Sequence, residues 1–131
     1  MFKRIDHVEI IAENADVTVN FYTRILNFKI KERIKIDRPP MKEVIFMELN
    51  GTTIELISVQ NPSPKSADSW QIGYRMFALE VEDMDEAISY LKSKGVVISM
   101  EPVNLRNSKR AEIRDPDGLP IELRQWYYSG N

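Results

Sequence analysis

Two short stretches with one shared pattern decide the fold: residues 50–56 read NGTTIEL, and residues 117–123 read DGLPIEL. Each stretch joins a turn-forming Asn-Gly or Asp-Gly pair to an alternating strand. Each strand carries a glutamate in its centre, Glu55 in the first and Glu122 in the second. Repetition of this kind indicates duplicated structural modules.

The first strands of the two modules repeat as well. If the spacing of the glutamates reflects duplication, the segment that starts at His7 should have a counterpart about one module later. Residues 7–14 read HVEIIAEN and residues 76–83 read MFALEVED, and both segments run into a helical pattern. The second copy has Met76 where the first copy has His7.

Each module reads as a strand, a helix and three further strands, which predicts an α+β protein of two tandem βαβββ modules. A length of 131 residues suits one domain, with module 1 at about 1–60, a linker at about 61–72 and module 2 at about 73–131. The apolar side of each first strand packs under a helix. We therefore expect a curved, mostly antiparallel sheet around a cavity, with the helices on the outside.

Composition and charge exclude several classes of function. The absence of cysteine excludes disulfides, thiolate metal sites and cysteine nucleophiles, and a single histidine cannot form a two-histidine iron site by itself. A net charge of −2 gives no general attraction to nucleic acid, and no apolar run is long enough to cross a membrane. The N-terminal segment turns polar too early for a signal peptide, so we expect a cytoplasmic protein.

Three polar residues share the face that the helices leave open. Alternation along the strands places His7, Glu55 and Glu122 on that face. An imidazole and two carboxylates suit zinc, nickel, manganese or iron(II). A single histidine or glutamate on a strand is most often only solvated, but matching positions in a repeat favour a metal site.

The whole pattern resembles a known superfamily. The paired modules, His7, the two GxxIEL strands, Phe21-Tyr22 in the first helix and the DPDG stretch at 115–118 resemble the vicinal oxygen chelate superfamily, also called the glyoxalase, bleomycin resistance and dioxygenase fold. The resemblance covers nearly the whole chain. It implies one metal-ligand position in the first strand and one in the fourth strand of each module.

In this chain the four implied ligand positions are His7, Glu55, Met76 and Glu122. Glyoxalase I of the short bacterial type has histidine, glutamate, histidine and glutamate there, so the chain is most similar to it in ligand pattern and departs at Met76. A thioether is a poor ligand for a hard divalent ion. We therefore expect Met76 to line the cavity, and His7, Glu55 and Glu122 to hold the metal with water.

The resemblance implies a metal-dependent lyase or isomerase that acts on a small 2-oxo or 2-hydroxy carbonyl compound. The metal would stabilise an enediolate, and a glutamate would move a proton between adjacent carbons. Glu122 is the first choice as base, with Glu55 as a second base or a permanent ligand. No motif indicates whether glutathione takes part, and we expect a homodimer with a small molecule as its partner.

Two other functions fit the same residues. Met76 also suits a metal-free binding protein of the bleomycin-resistance type, in which Trp70 or the Trp126-Tyr127-Tyr128 segment stacks on a planar ligand. The alternative for these aromatic residues is that they seal module edges or a dimer contact. The resemblance also allows an isomerase like methylmalonyl-CoA epimerase, from which this chain differs at two ligand positions.

Two groups of basic residues could attract an anionic substrate. Alternation along the second strand predicts that four cations line one face, which is more typical of a solvated face: Lys29, Lys31, Arg33 and Lys35. Three arginines of the last two strands are the better candidates: Arg110, Arg114 and Arg124. Arg124 should share the face of Glu122.

Overall fold

The computed structural model describes residues 1–127, and the chain divides into two compact units, Met1–Pro64 and Lys65–Asn131. Unit 1 contains strand β1 (Val8–Ala12), helix α1 (Ala15–Asn20) with a π-helical continuation (Phe21–Ile25), and strands β2 (Lys29–Arg38), β3 (Met41–Leu49) and β4 (Thr52–Val59). Unit 2 contains β5 (Phe77–Glu80), α2 (Met84–Ser93), β6 (Ile98–Asn104), β7 (Ser108–Arg114) and β8 (Pro120–Trp126). The predicted α+β fold of two βαβββ repeats is confirmed.

The two units share one sheet topology. The strand order is β1-β4-β3-β2 in unit 1 and β5-β8-β7-β6 in unit 2. The first strand of each unit pairs in parallel with the fourth, and the other neighbours are antiparallel. Each mixed sheet therefore places its first strand directly beside the GxxIEL strand.

One face of the unit 1 sheet packs under the helix. Ile45 and Leu56 are neighbours across β3 and β4, and neither side chain is exposed to solvent. Tyr22 of the helical segment is also fully buried. Burial of such a side chain contributes about 1.5 to 3 kcal/mol, so this layer holds the helix on the sheet.

Unit 2 repeats this arrangement with α2. Ile121 and Leu123 of β8 are buried, as is Met84 in the first turn of α2. The Gln125 side chain accepts a hydrogen bond from the Met84 backbone N–H at 2.7 Å, so α2 begins on the face that carries the odd-numbered residues of β8. The even-numbered residues of β8, including Glu122, lie on the opposite face.

A capping side chain marks the start of each α-helix. From Asp83, with Glu86 three residues later, the sequence predicts a capping-box start of α2, and the Asp83 side chain accepts the backbone N–H of Glu86 at 2.9 Å as predicted. The Asn14 side chain caps α1 in the same way through Val17. Within residues 1–127, no helix has both the length and the apolar character that a membrane span requires.

The first strands are shorter than the alternation predicts. Alternation of residue types predicts first strands from Ile5 to Ala12 and from Tyr74 to Val81, whereas strand pairing starts at Val8 and at Phe77. Each of these strands pairs only with the fourth strand of its unit, which itself starts after a turn at Gly51 or Gly118. Alternation of residue types predicts which face a side chain takes, but it carries no signal for where a pairing partner ends.

The predicted stripe of four cations on β2 is wrong. A bulge between Ile30 and Glu32 interrupts the pairing of β2 with β3 and shifts the alternation by one residue. As a result Lys29 lies opposite Glu48, whereas Arg33 lies opposite the buried Ile45 on the helix-bearing face.

Arg33 is consequently a bridging residue rather than a solvated cation. Its guanidinium donates to the carboxylate of Asp16 in α1 at 2.7 Å and to that of Glu43 in β3 at 2.6 Å. Hydrogen bonds from Arg33 are the main cause that lowers the pKa of Glu43, against the effect of burial. These contacts tie helix α1 to the sheet of unit 1.

Candidate functional site

Unit 1 brings two of the three predicted site residues together. His7 precedes β1, and Glu55 lies in the middle of β4, the strand that pairs with β1. The Nε2 atom of His7 lies 3.1 Å from Oε1 of Glu55 and 3.2 Å from Oε2 of Glu9. The Glu55 side chain is 12% exposed, whereas that of Glu9 is 57% exposed.

The imidazole of His7 is oriented from its other nitrogen. Oδ2 of Asp6 lies 2.9 Å from Nδ1, and the ring of Phe46 meets the imidazole edge-on with centroids 6.2 Å apart. A carboxylate at Nδ1 favours a proton there, so Nε2, which faces Glu9 and Glu55, is the nitrogen that would bind a metal ion in place of its own proton. Outer carboxylates orient metal-binding histidines in this way in many proteins.

The carboxylates in this group change the pKa values of His7 and Glu55. Hydrogen bonds with Asp6 and then Glu9 raise the pKa of His7 above its ordinary 6.5. Burial, followed by repulsion from Glu9, raises the pKa of the Glu55 carboxyl above its ordinary 4.5, although His7 acts in the opposite direction. The group therefore holds more negative charge than its single imidazole balances.

This donor set fits a divalent ion. One ligand atom from each of His7, Glu9 and Glu55 can be chosen so that all three lie within 4.8 Å of one another. Ligands about 2.0 to 2.2 Å from an ion lie about 2.8 to 3.6 Å apart in octahedral or tetrahedral geometry. The two distances from Nε2, 3.1 and 3.2 Å, fall in that range.

Glu122, the third predicted site residue, lies in unit 2 inside a network of ion pairs. Its Oε1 accepts a hydrogen bond from Nε of Arg110 at 2.7 Å, and its Oε2 accepts one from Nε of Arg124 at 2.9 Å. Arg110 also binds Oε2 of Glu112 at 2.6 Å. The side chains of this network are between 12% and 22% exposed.

The arginines determine how Glu122 titrates. Burial acts to raise the pKa of the Glu122 carboxyl, but hydrogen bonds from Arg124 and Arg110 outweigh it, so the pKa lies below its ordinary 4.5. Both oxygens already accept charge-assisted hydrogen bonds, which are about twice as strong as neutral ones. A metal ion or a substrate proton at Glu122 would have to compete with both guanidinium groups.

Met76 lies beside the same network. Its Sδ is 3.8 Å from Nη2 of Arg110, and the side chain lines a cavity of about 190 Å³ that also borders Glu112 and Arg114. Unit 1 has a more open depression of about 450 Å³ lined by Asp16 and Arg33 on its helix-bearing face. His7 and Glu55 do not line that depression, so the larger of these two cavities is not at the candidate metal ligands.

The arginines predicted to meet an anion have acceptors within the protein. Arg110 and Arg124 bind Glu122, and Nη1 of Arg124 also donates to the Ser108 hydroxyl at 3.1 Å. Arg114 donates to the backbone carbonyl of Gly118 at 3.2 Å. These contacts fix the guanidinium groups on the sheet.

The aromatic residues that could stack on a planar ligand are partly paired with cations. The guanidinium of Arg75 lies 4.1 Å from the ring centroid of Trp70, and that of Arg124 lies 5.2 Å from the ring of Trp126. Trp70 is nevertheless 80% exposed. Tyr128, the last of the proposed aromatic residues, is outside the described residues.

The sequence predicted that Glu9 shares the face of His7, but it gave no site role to Glu9, Asp6 or Glu112. Glu9 was detectable, because it stands two residues after His7 in a strand and must share its face. Glu112 carried the same parity signal relative to Arg110. Asp6 carried no signal of this kind, because an adjacent residue in a regular strand would point away.

Comparison with known proteins agrees with the fold. The family model of the Glyoxalase/Bleomycin resistance protein/Dioxygenase superfamily matches residues 4–123. The chain is 34% identical over 124 residues to the uncharacterized protein YaeR of Escherichia coli, covering 92% of this chain and 95% of that one.

Two further relatives have more specific names, one of a lyase and one of the glyoxalase family. A probable chloroplastic lactoylglutathione lyase of Arabidopsis thaliana is 29% identical over 125 residues, which cover 92% of this chain and 35% of that longer protein. A crystal structure of a glyoxalase family protein from Enterococcus faecalis is 29% identical, with a TM-score of 0.79 over 94% of this chain and 98% of that chain.

Proposed function

Because the chain belongs to the Glyoxalase/Bleomycin resistance protein/Dioxygenase superfamily, we propose that it is a metal-dependent lyase or isomerase of the glyoxalase type. Its substrate class would be a small 2-oxo or 2-hydroxy carbonyl compound, in which a proton moves between adjacent carbons. The observation that carries the proposal is the approach of His7 and Glu55 to within 3.1 Å on the open face of unit 1. The lactoylglutathione lyase name of one relative and the glyoxalase family name of another add support.

The residues of unit 1 suit the two tasks of this reaction. His7 and Glu55 would hold a zinc, nickel, manganese or iron(II) ion. When bound, such an ion supplies a Lewis acid that polarises neighbouring substrate oxygens and acidifies the adjacent C–H group. Asp6 holds the imidazole in orientation through Nδ1, and Phe46 shields one edge of its ring.

Two carboxylates are candidates for the proton transfer. Glu122 was the first choice from the sequence, but hydrogen bonds from Arg124 and Arg110 stabilise its ionised form and therefore make it a weaker base. Glu55 contacts His7 through Oε1, and its second oxygen offers a separate site for a proton. We therefore propose Glu55 as the principal base, with Glu122 tested beside it.

Exchange of a substrate C–H hydrogen for solvent deuterium measures this activity even before the natural substrate is identified. The protein is loaded with Zn²⁺ or Ni²⁺ in deuterated water and mixed with a panel of 2-oxo aldehydes and 2-hydroxy ketones, with and without glutathione. Proton NMR then follows loss of the C–H signal next to the carbonyl. We expect exchange with the wild type and about a 100-fold or larger loss in Glu55→Gln, the usual contribution of a general base.

The outcomes separate the two bases and the reaction class. Exchange that survives in Glu55→Gln but disappears in Glu122→Gln would transfer the role of base to Glu122. A folded, metal-loaded wild type that exchanges no compound of the panel would overturn the proposal. If a panel compound exchanges only when glutathione is also present, the substrate form is a glutathione adduct of that compound.

The ion network of unit 2 favours a second candidate, a metal-free binding protein. Arg110 contacts both residues at the unit 2 ligand positions, Glu122 by a hydrogen bond and Met76 through sulfur. In such a protein, the cavity of unit 2 that Met76 lines would recognise an organic molecule. Tryptophan fluorescence of metal-free protein, titrated with bleomycin and other planar antibiotics, tests it, and saturable binding in EDTA is the expected result.

Location and assembly complete the proposal. We propose that the protein acts in the cytoplasm as a homodimer, as expected for a chain without cysteine whose two sheets end in open strand edges. The edge strands of unit 1 are β1 and β2, and those of unit 2 are β5 and β6. Pairing or covering of such edges is a common reason for association.

A further inference from the structure

Each unit holds two glutamates directly opposite each other on neighbouring strands. In unit 1, Glu9 of β1 pairs in register with Glu55 of β4. In unit 2, Glu112 of β7 pairs in register with Glu122 of β8. Like charges in opposite positions destabilise a sheet, so each pair calls for a cation.

Unit 2 supplies its own cations. Arg110 binds Glu112 at 2.6 Å and Glu122 at 2.7 Å, and Arg124 binds Glu122 at 2.9 Å. Two guanidinium groups therefore balance two carboxylates. The two glutamates of unit 2 therefore need no further positive charge.

Unit 1 has no such balance. Within residues 1–127, the ion-pair partner recorded for both Glu9 and Glu55 is His7, at 3.2 and 3.1 Å from the same Nε2 atom. One imidazole carries at most one positive charge, and Asp6 adds a third carboxylate at Nδ1. The pair of glutamates in unit 1, on parallel strands, thus lacks the arginines that accompany the pair in unit 2, on antiparallel strands.

We infer that Glu9 is the third protein ligand of a divalent ion held by His7 and Glu55, so that the metal group is complete within unit 1. This inference rests on the proposed function for the presence of the ion. It gives the ion one neutral imidazole and two carboxylates, a set of three protein ligands that leaves positions for water or substrate. Neither Met76 nor Glu122 is then required as a ligand.

The location of Glu9 suits this role. It stands two residues after His7, so both side chains rise from the same face of the chain. β1 is an edge strand, and the Glu9 side chain is 57% exposed, whereas the Glu55 side chain is 12% exposed. The ligand set would therefore combine a largely buried carboxylate with an accessible one.

Metal-binding measurements on full-length variants test the inference. The dissociation constant for Zn²⁺ and for Ni²⁺ is measured by calorimetry for the wild type, Glu9→Gln, Glu122→Gln and the control Glu48→Gln. Glu48 lies on the same sheet and pairs with Lys31, so its variant removes one negative charge without removing a ligand. Far-UV circular dichroism checks folding, and Glu9→Ala serves as a second variant.

We expect weaker binding in Glu9→Gln by about 100-fold or more, because loss of an outer-shell partner alone costs about 10- to 100-fold. Glu122→Gln and Glu48→Gln should bind as the wild type does. The visible absorption of bound Co²⁺, which reports coordination, should change in Glu9→Gln and not in Glu122→Gln.

Failure of the inference and failure of the proposed function look different. If the wild type binds metal tightly while Glu9→Gln is unaffected and Glu122→Gln loses binding, the inference is overturned and the proposed function stands. If the folded wild type binds no divalent metal, both are overturned. Equal weakening in Glu9→Gln and Glu48→Gln would show a general charge effect and would also overturn the inference.

Discussion

Removal of Arg110 should destabilise the protein strongly at neutral pH. The guanidinium joins Glu112 and Glu122, whose side chains are 12% and 15% exposed. Breaking a buried ion pair from one side costs about 3 to 5 kcal/mol, and an exposed pair is worth about 0 to 1 kcal/mol. Arg124 remains bonded to Glu122, so for Arg110→Met we expect a loss of about 2 to 3 kcal/mol in the free energy of unfolding.

The loss should depend on pH in a defined direction. Burial acts to raise the pKa of Glu122, yet hydrogen bonds from Arg124 and Arg110 lower it below 4.5. A carboxyl whose pKa is lowered by folding stabilises the fold above its ordinary pKa, and this contribution is lost as the pH falls through the folded pKa. Arg110→Met removes part of that contribution, so the difference from the wild type should be full at about pH 7 and shrink below about pH 4.5.

Urea unfolding at about pH 7 and about pH 4, followed by circular dichroism, measures both effects. Arg33→Met is the matched control, because Arg33 also binds two carboxylates but its side chain is 35% exposed. Its cost should stay at about 0.5 to 1 kcal/mol. An Arg110→Met variant within experimental error of the wild type at neutral pH, or one whose deficit is unchanged at acid pH, would refute the reasoning.

Four further results are expected. Ile45→Ala, at a fully buried position, should lower the free energy of unfolding by about 3 kcal/mol, and Ile34→Ala, at a 37% exposed position, should cost less than about 1 kcal/mol in the same urea experiment. Because the chain has a single histidine, the imidazole C–H signals in proton NMR report His7 alone. In metal-free protein the pKa of His7 should lie above 6.5. Asp6→Asn should lower the titration midpoint, because the hydrogen bond with Asp6 is the largest cause of the raised pKa. A midpoint that ignores Asp6→Asn would contradict the placement of that carboxylate. Asp83→Ala should cost about 1 kcal/mol, read from the denaturant midpoint, because it removes the cap of α2. Light scattering after size-exclusion chromatography should give twice the 15.3 kDa mass of the chain, and a concentration-independent monomer would contradict the proposed homodimer.

Much of the fold followed from local pattern. The two GxxIEL stretches and the repeat around His7 predicted both βαβββ units, because strand alternation and Asn-Gly or Asp-Gly turns depend on nearest neighbours in the chain. The same alternation placed Glu55 on the face of His7, where the structure has it. The start of α2 at Asp83 followed from capping chemistry, which also acts over a few residues.

The limits of local pattern are visible at β2 and in the helical segment. One inserted residue in a bulge moved Arg33 to the helix-bearing face, and the π-helical continuation at Phe21–Ile25 had no sequence signal. Both features depend on how strands and helix fit against each other. Residue type along the chain does not encode that fit directly.

By itself, then, the sequence determined the repeat and the shared face of His7 and Glu55, and its resemblance to the superfamily implied four ligand positions. Only the tertiary structure decided which charged side chains meet. Parity placed Glu122 and Arg124 on one face, but register between β7 and β8 brought Arg110 onto Glu122 as well. The pairing of β1 with β4 brought Glu9 beside Glu55 around one imidazole. Two equivalent glutamates thus have different surroundings, because charge interactions depend on distances across strands that are far apart in sequence.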